Sequence, residues 1–188
     1  MFDSFTTSEF IDLLSENVFK PAGMNDTRQD DQQAIIPGRV RGYLRQSAKD
    51  IETLPAGNRR KAGDLYNAPL HDTSSKIPGG GLLSTAPDLV RFALAMNARK
   101  LLKDEMLAAA WTSQKTKDGK ETGYGLGWRI GEVGGHRAVS HGGGQAGTST
   151  FLLLLPDDGV AVAAMCNLQG VKLEPMAADI AERMLRDD

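Results

Sequence analysis

His141-Gly142-Gly143-Gly144 sets a titratable imidazole beside three residues that have no side chains. An imidazole can hold or pass a proton near neutral pH. Glycines let a reacting group approach backbone N–H donors, as an oxyanion-binding site requires. On these residues alone, a glycine-rich bend joining two strands, with an incidental histidine, fits equally well. The stretch Gly142-Gly143-Gly144-Gln145-Ala146-Gly147 also satisfies the phosphate-binding pattern G-x-G-x-x-G. That pattern has meaning only between a strand and a helix whose N-terminus receives the phosphate. Here the β-rich run Thr148 to Leu155 follows, which disfavours nucleotide binding. Five residues separate His136 from His141, so on a strand they face opposite ways and do not share a metal. His71, in a polar stretch, reads as a surface histidine. Cys166, the single cysteine, can form neither an internal disulfide nor a multi-cysteine metal site. It reads as a small buried hydrophobe, and Trp111 and Trp128 read as core or cleft wall.

Several elements must position these groups. Thr6 and Glu9 form a capping-box pair before a helix predicted from about Thr7 to Phe19, with Phe10, Leu14 and Val18 on its apolar side. Pro21 and Gly23 are expected to end it. From Gln32 to Lys76 the chain is polar and turn-rich, with one strand-like alternation over Val40 to Leu44. Long excursions of this kind often border functional sites, and its basic cluster Arg59-Arg60-Lys61 reads as a solvated patch. Thr85 and Asp88 cap a second helix whose stripe is Leu89, Phe92, Ala93 and Met96, and a shorter helix is predicted from Asp104 to Trp111. Tyr124, Leu126, Trp128 and Ile130 alternate as in a strand. Thr148 to Leu155 and Val160 to Cys166 predict an antiparallel hairpin about Pro156-Asp157-Asp158-Gly159, buried on both faces. A last helix from about Pro175, with Met176, Ile180 and Met184 on one face, is the expected cover.

The 188 residues carry 22 basic and 24 acidic side chains, a formal charge of −2, with 40% hydrophobic residues. This length suggests one domain. The slight acidic balance offers no global basic field for nucleic acid or anionic membrane. No apolar run reaches the roughly 18 residues of a membrane-crossing helix. Met1-Phe2-Asp3-Ser4-Phe5 lacks the basic and apolar regions of a signal peptide, so the expectation is a cytoplasmic protein or one whose leader has been removed.

Five segments, in order, resemble the serine β-lactamase and penicillin-binding-protein family, and in particular its class C-like branch of β-lactamases, D-amino-acid peptidases and esterases. Phe10 to Thr27 resembles a helix followed by F-x-P-L-G-M-x-D-T. Gly79 to Leu89 resembles G-G-L-x-S-T-A-x-D-L. Tyr124 to Trp128 resembles Y-G-L-G-W, and Ser140 to Gly147 resembles x-H-T-G-x-x-x-G. The strand pair and closing helix complete the order.

The resemblance implies an α+β fold, an antiparallel sheet with packed helices. It implies that His141 begins the third active-site motif, often K-T-G, orienting substrate or helping proton transfer. By the same correspondence, the Gly144 N–H would be an oxyanion donor, with Gly142, Gly143 and Gln145 lining the substrate edge. The substrate would be a small molecule or peptide: a β-lactam, a D-amino-acid peptide or an ester. Gly142 in place of a hydroxyl residue, and histidine in place of lysine, favour a peptidase- or esterase-like relative over a dedicated penicillin-hydrolysing enzyme. No metal or organic cofactor is implied. The family nucleophile, serine in S-x-x-K, has no counterpart: none of Ser4, Ser8, Ser15, Ser47, Ser74, Ser75, Ser84, Ser113, Ser140 and Ser149 has lysine three positions on. Y-x-N is missing as well, since Tyr43, Tyr66 and Tyr124 precede Arg45, Ala68 and Leu126 by two. The chain therefore reads as a single partial domain, the C-terminal part of a longer hydrolase, inactive alone and open to self-association through the face left uncovered. The alternative is a non-catalytic binding or regulatory module that keeps the fold.

Overall fold

A computed structural model describes residues 6–53, 55–58, 61–70, 72–73 and 76–186. The predicted capping box forms at helix α1 (Thr7–Leu14): the Thr6 hydroxyl accepts the Glu9 N–H, and Glu9 accepts the Thr6 N–H at 2.8 Å. That backbone hydrogen bond, with the Thr6 hydroxyl's own, holds the Glu9 carboxyl below its ordinary range. The helix continues through a π-turn, Ser15–Phe19, into α2 (Lys20–Ala22). Pro21 thus lies inside the helical run, and Gly23, at φ +73°, ends it. None of the residues of α1 is fully buried.

The excursion that follows holds β1 (Arg28–Gln29), β2 (Tyr43–Arg45), α3 (Ala48–Thr53), β3 (Leu65–Asn67) and β4 (Leu82–Leu83). β1 pairs with β4 and β2 with β3, both antiparallel. The strand expected from Val40 starts only at Tyr43, because the preceding residues cross the turn after Gln145. A Cβ on Gly147, whose φ is +84°, would lie 2.6 Å from the Gly42 Cα. Tyr43 then donates to Asn167 O at 2.9 Å and accepts from Gln169 N at 3.0 Å, fastening the excursion to the sheet. The last glycine of the phosphate-like pattern therefore serves a backbone crossing. His71, Arg59 and Arg60 lie outside the described residues.

The C-terminal half is a four-stranded antiparallel sheet, β5 (Arg129–Val133), β6 (His136–Gln145), β7 (Thr148–Leu155) and β8 (Val160–Cys166), in that spatial order. Helix α4 (Ala86–Asn97) covers one face, its Ala93 and Met96 joining Val139, Leu152 and Leu154 in one core with Leu107 and Ala110 of α5 (Asp104–Ala110). Helix α6 (Glu174–Arg186) covers the other, with Ala138, Phe151, Leu153, Leu155 and Val162. The near-continuous apolar run of β7 follows from burial on both sides.

Three further expectations change here. Tyr124 to Trp128 is a loop, not a strand, because Gly123 and Gly127 take φ of +68° and +81° and Leu126 N–H binds Ala110 O at 3.0 Å. The loop inserts Trp128 between Phe92, stacked at 6.2 Å, and Trp111, edge-on at 6.3 Å. On α6, Ala177 and Ala181 face the sheet at 0% exposure, while Met176, Ile180 and Met184 remain 48%, 38% and 45% exposed. Small side chains let the helix approach the sheet closely, and the larger apolar stripe is left outward. Cys166, expected to be buried, is half-buried, because β8 is an edge strand. The folded chain exposes 12,340 Å², against roughly 8,800 Å² expected of a compact monomer of this mass.

Candidate active site

β5 begins at Arg129, opposite Ser140, so His141–Gln145 of β6 have a strand neighbour on one side only, β7. The Ile130 N–H goes to Gly123 O at 2.9 Å and so points away from β6. In an antiparallel ladder the direction alternates residue by residue. Arg129 therefore turns its backbone groups toward Ser140, and Ser140 toward Arg129. Gly142 and Gly144, two and four residues on, present their N–H and C=O groups to that same side, beyond the end of β5. The result is a strand edge carrying two outward N–H groups.

Packing does not require glycine at those two positions. A Cβ on Gly142 would come no nearer than 3.5 Å to Phe151, and one on Gly144 no nearer than 3.8 Å to Thr148 O, both ordinary contacts. Gly143 differs, since its Cβ would meet the Thr150 hydroxyl at 2.5 Å. Bare backbone at 142 and 144 is a property of the edge, not a demand of the core.

His141 lies opposite Leu152, on the sheet face that α4 covers. Its exposed ring meets Tyr124 edge-on, with centroids 6.2 Å apart and planes at 67°. His136, at the other end of β6, holds Asp158 at 2.8 Å, so the two histidines form no common site. Among the described residues no group of His, Cys, Asp or Glu could hold a metal ion.

Gln145 closes the edge. Its Oε1 accepts from Lys76 Nζ at 2.5 Å, and a Cβ on Gly80 would stand 2.6 Å from its Nε2, so a side chain there would displace the amide from this position. The loop carrying Lys76 and Gly80 is held through β4. Asp88, fully buried at the start of α4, accepts from Asp26 N and the Thr27 hydroxyl, each at 2.8 Å, and from Arg91 at 2.7 Å. Those bonds fix the residues that lead into β1, the partner of β4. Lys76 lies 69 positions from Gln145, and no sequence signal joined them. Tyr124 stood in the Y-G-L-G-W segment, but its approach to His141 depends on the loop that replaced the expected strand.

The Beta-lactamase family model matches residues 5–184. The chain belongs to the beta-lactamase family. This is a family of serine hydrolases of β-lactamase and D-aminopeptidase type, and its α+β fold is the one described above. The serine beta-lactamase-like protein LACTB of Homo sapiens mitochondria is 29% identical over 95% of this beta-lactamase-family chain and 37% of its own length. The D-aminopeptidase of Brucella anthropi is 25% identical, over 98% of the chain and 31% of the enzyme. Among solved structures, the octameric penicillin-binding protein homologue from Pyrococcus abyssi superposes with a TM-score of 0.74 at 20% identity, over 94% of this chain and 38% of that one. The D-amino acid amidase from Ochrobactrum anthropi SV3, complexed with D-phenylalanine, superposes at 0.73 and 20% identity, over 95% and 54%. The chain thus spans about a third of the length of the curated relatives it matches. Among the described residues no helix is long and apolar enough to cross a membrane.

Proposed function

We propose that this chain is the C-terminal part of a serine hydrolase that opens amide or ester bonds through an acyl-enzyme. The nucleophilic serine would come from a part of the protein upstream of these residues. The open β6 edge supports this reading: its two outward N–H groups, on Gly142 and Gly144, stand beside His141. In the proposed mechanism the substrate carbonyl lies along this edge. The upstream serine attacks it, and the Gly144 N–H stabilises the oxyanion that forms. Gly142, Gly143 and Gln145 line the acyl group, and His141 orients the substrate or passes a proton to the leaving group. Water then releases the acyl group. The relatives named as acting on D-amino-acid amides and peptides favour an amide or peptide beside a D-residue.

A fluorophosphonate probe tests the assignment. The 188-residue chain alone remains unlabelled, and coexpression with the upstream part yields one adduct, on a serine in S-x-x-K, by mass spectrometry. A stoichiometric serine adduct on the isolated chain overturns the reading, as does an upstream part that lacks such a serine.

The same reading has a consequence in solution. The half-covered α1, the outward methionine stripe of α6 and the unpaired edge of β8 together present apolar surface and free backbone groups. Edges and patches of this kind drive association. The isolated chain therefore self-associates and binds a hydrophobic dye. A compact monomer by light scattering, with no dye bound, is the contrary result.

A further inference from the structure

We infer that the cavity at the far end of the open β6 edge is an anion subsite, and that it selects substrates whose acyl side carries a second carboxylate. The cavity, of about 970 Å³, is bounded by Gly143–Ala146 of β6 and its turn, by the β2–β3 pair, by Lys76 and by the loop after β8. Its charged lining residues are Arg45, Lys76 and Lys172, and no acidic side chain lines it among the described residues. None of the three cations pairs with a carboxylate among the described residues. The Arg45 guanidinium donates to Gly63 O at 2.7 Å, and Lys76 donates to the neutral Gln145 amide.

A chain with net charge −2 thus lines one concavity with three cations and, among the described residues, no acid. Convergent like charges repel one another, and an anion placed among them relieves that repulsion. The planar guanidinium of Arg45 suits a carboxylate, and Tyr66, Thr148 and Gln169 add polar groups to the wall. Position supplies the specificity. Gly143, Gly144 and Gln145 belong both to the cavity wall and to the open edge, so an anion held there is attached to the group lying on that edge. This last step rests on the proposed seating of the reacting carbonyl. The anion site itself does not.

Binding to the 188-residue chain tests the site without catalysis. Glutarate, titrated at low ionic strength and followed by calorimetry and amide NMR, binds and shifts the resonances of Gly143–Ala146 and Gly170. Glutaramide, its uncharged counterpart, does not. Arg45→Ala and Lys172→Glu, both exposed positions, each weaken glutarate binding by about tenfold or more, the scale of one charge-assisted contact. Inorganic phosphate serves as the second probe: phosphate binding equal to that of glutarate would replace the carboxylate assignment with a phosphate one. Equal binding of glutarate and glutaramide, or unchanged affinity in both variants, overturns the subsite. Glutarate binding retained while the upstream part yields no acyl-enzyme overturns the hydrolase reading and leaves the anion site standing.

Discussion

If the proposed hydrolase function holds, His141→Ala in the chain joined to its upstream part lowers kcat/KM by roughly 10²–10⁴-fold, the range of a positioned acid–base group. Folding is little affected, because the His141 ring is exposed and joins neither core. Gly144→Pro removes the N–H proposed to meet the oxyanion, and loss of one such donor costs about 3–4 kcal/mol in the barrier. Proline can also disturb the strand, so the circular dichroism of that variant is compared with the parent before its rate is read. Gly144→Ala is the steric companion: it keeps the N–H and meets nothing closer than 3.8 Å. Its rate stays well above that of the proline variant. His136→Ala removes a histidine from the same strand and releases only Asp158, so kcat/KM holds. Full activity in His141→Ala would remove the proposed site from this strand.

Asp88→Ala destabilises the fold by about 3–5 kcal/mol, the cost of two hydrogen bonds to a buried carboxylate from Asp26 N and the Thr27 hydroxyl, while Arg91, 47% exposed, turns to water and adds little. For a chain of this size that lowers the melting temperature by roughly 6–20 °C. Asp88 is fully buried, and its loss leaves the Asp26 N–H, the Thr27 hydroxyl and the Arg91 guanidinium without their acceptor. Asp88→Asn keeps one carbonyl acceptor and falls between parent and alanine variant. Thr27→Val removes a single hydroxyl contact and shifts the melting temperature least. A melting temperature for Asp88→Ala within 2–3 °C of the parent, less than about 1 kcal/mol on the same scale, would show that Asp88 does not hold β1 and the Gly79–Gly81 loop in place.

The sequence made the C-terminal half legible because its signals are local. The alternation and apolar runs of β7 and β8, the short Pro156–Gly159 turn and the Thr85 cap each depend on residues a few positions apart. Thr148 to Leu155 argued against a phosphate helix after Gly147 for the same reason, and the run is a strand, β7. The ordered segments from Phe10 to Gly147 sufficed to mark the family, as the match over residues 5–184 bears out. Misreadings arose where distant residues decide. Period-two spacing over Tyr124 to Trp128 met glycines at positive φ and the end of α5. The strand expected from Val40 met the turn at Gly147. The hydrophobicity of Met176, Ile180 and Met184 pointed inward, but close packing against a flat sheet favoured Ala177 and Ala181.

His141 and its glycines were visible as residue types, but the open edge was not. An exposed N–H depends on where the neighbouring strand's pairing runs out, and β5 begins only at Arg129, twelve positions before His141 in the chain. The cavity beyond that edge is still less local, because Arg45 comes from β2, Lys76 from the segment before β4 and Lys172 from the loop after β8. Composition, periodicity and capping determined which elements form, because each is settled by interactions within a few residues. Register, strand ends and the convergence of remote charges were decided only in the tertiary structure, where backbone hydrogen bonds and excluded volume act between segments far apart in sequence.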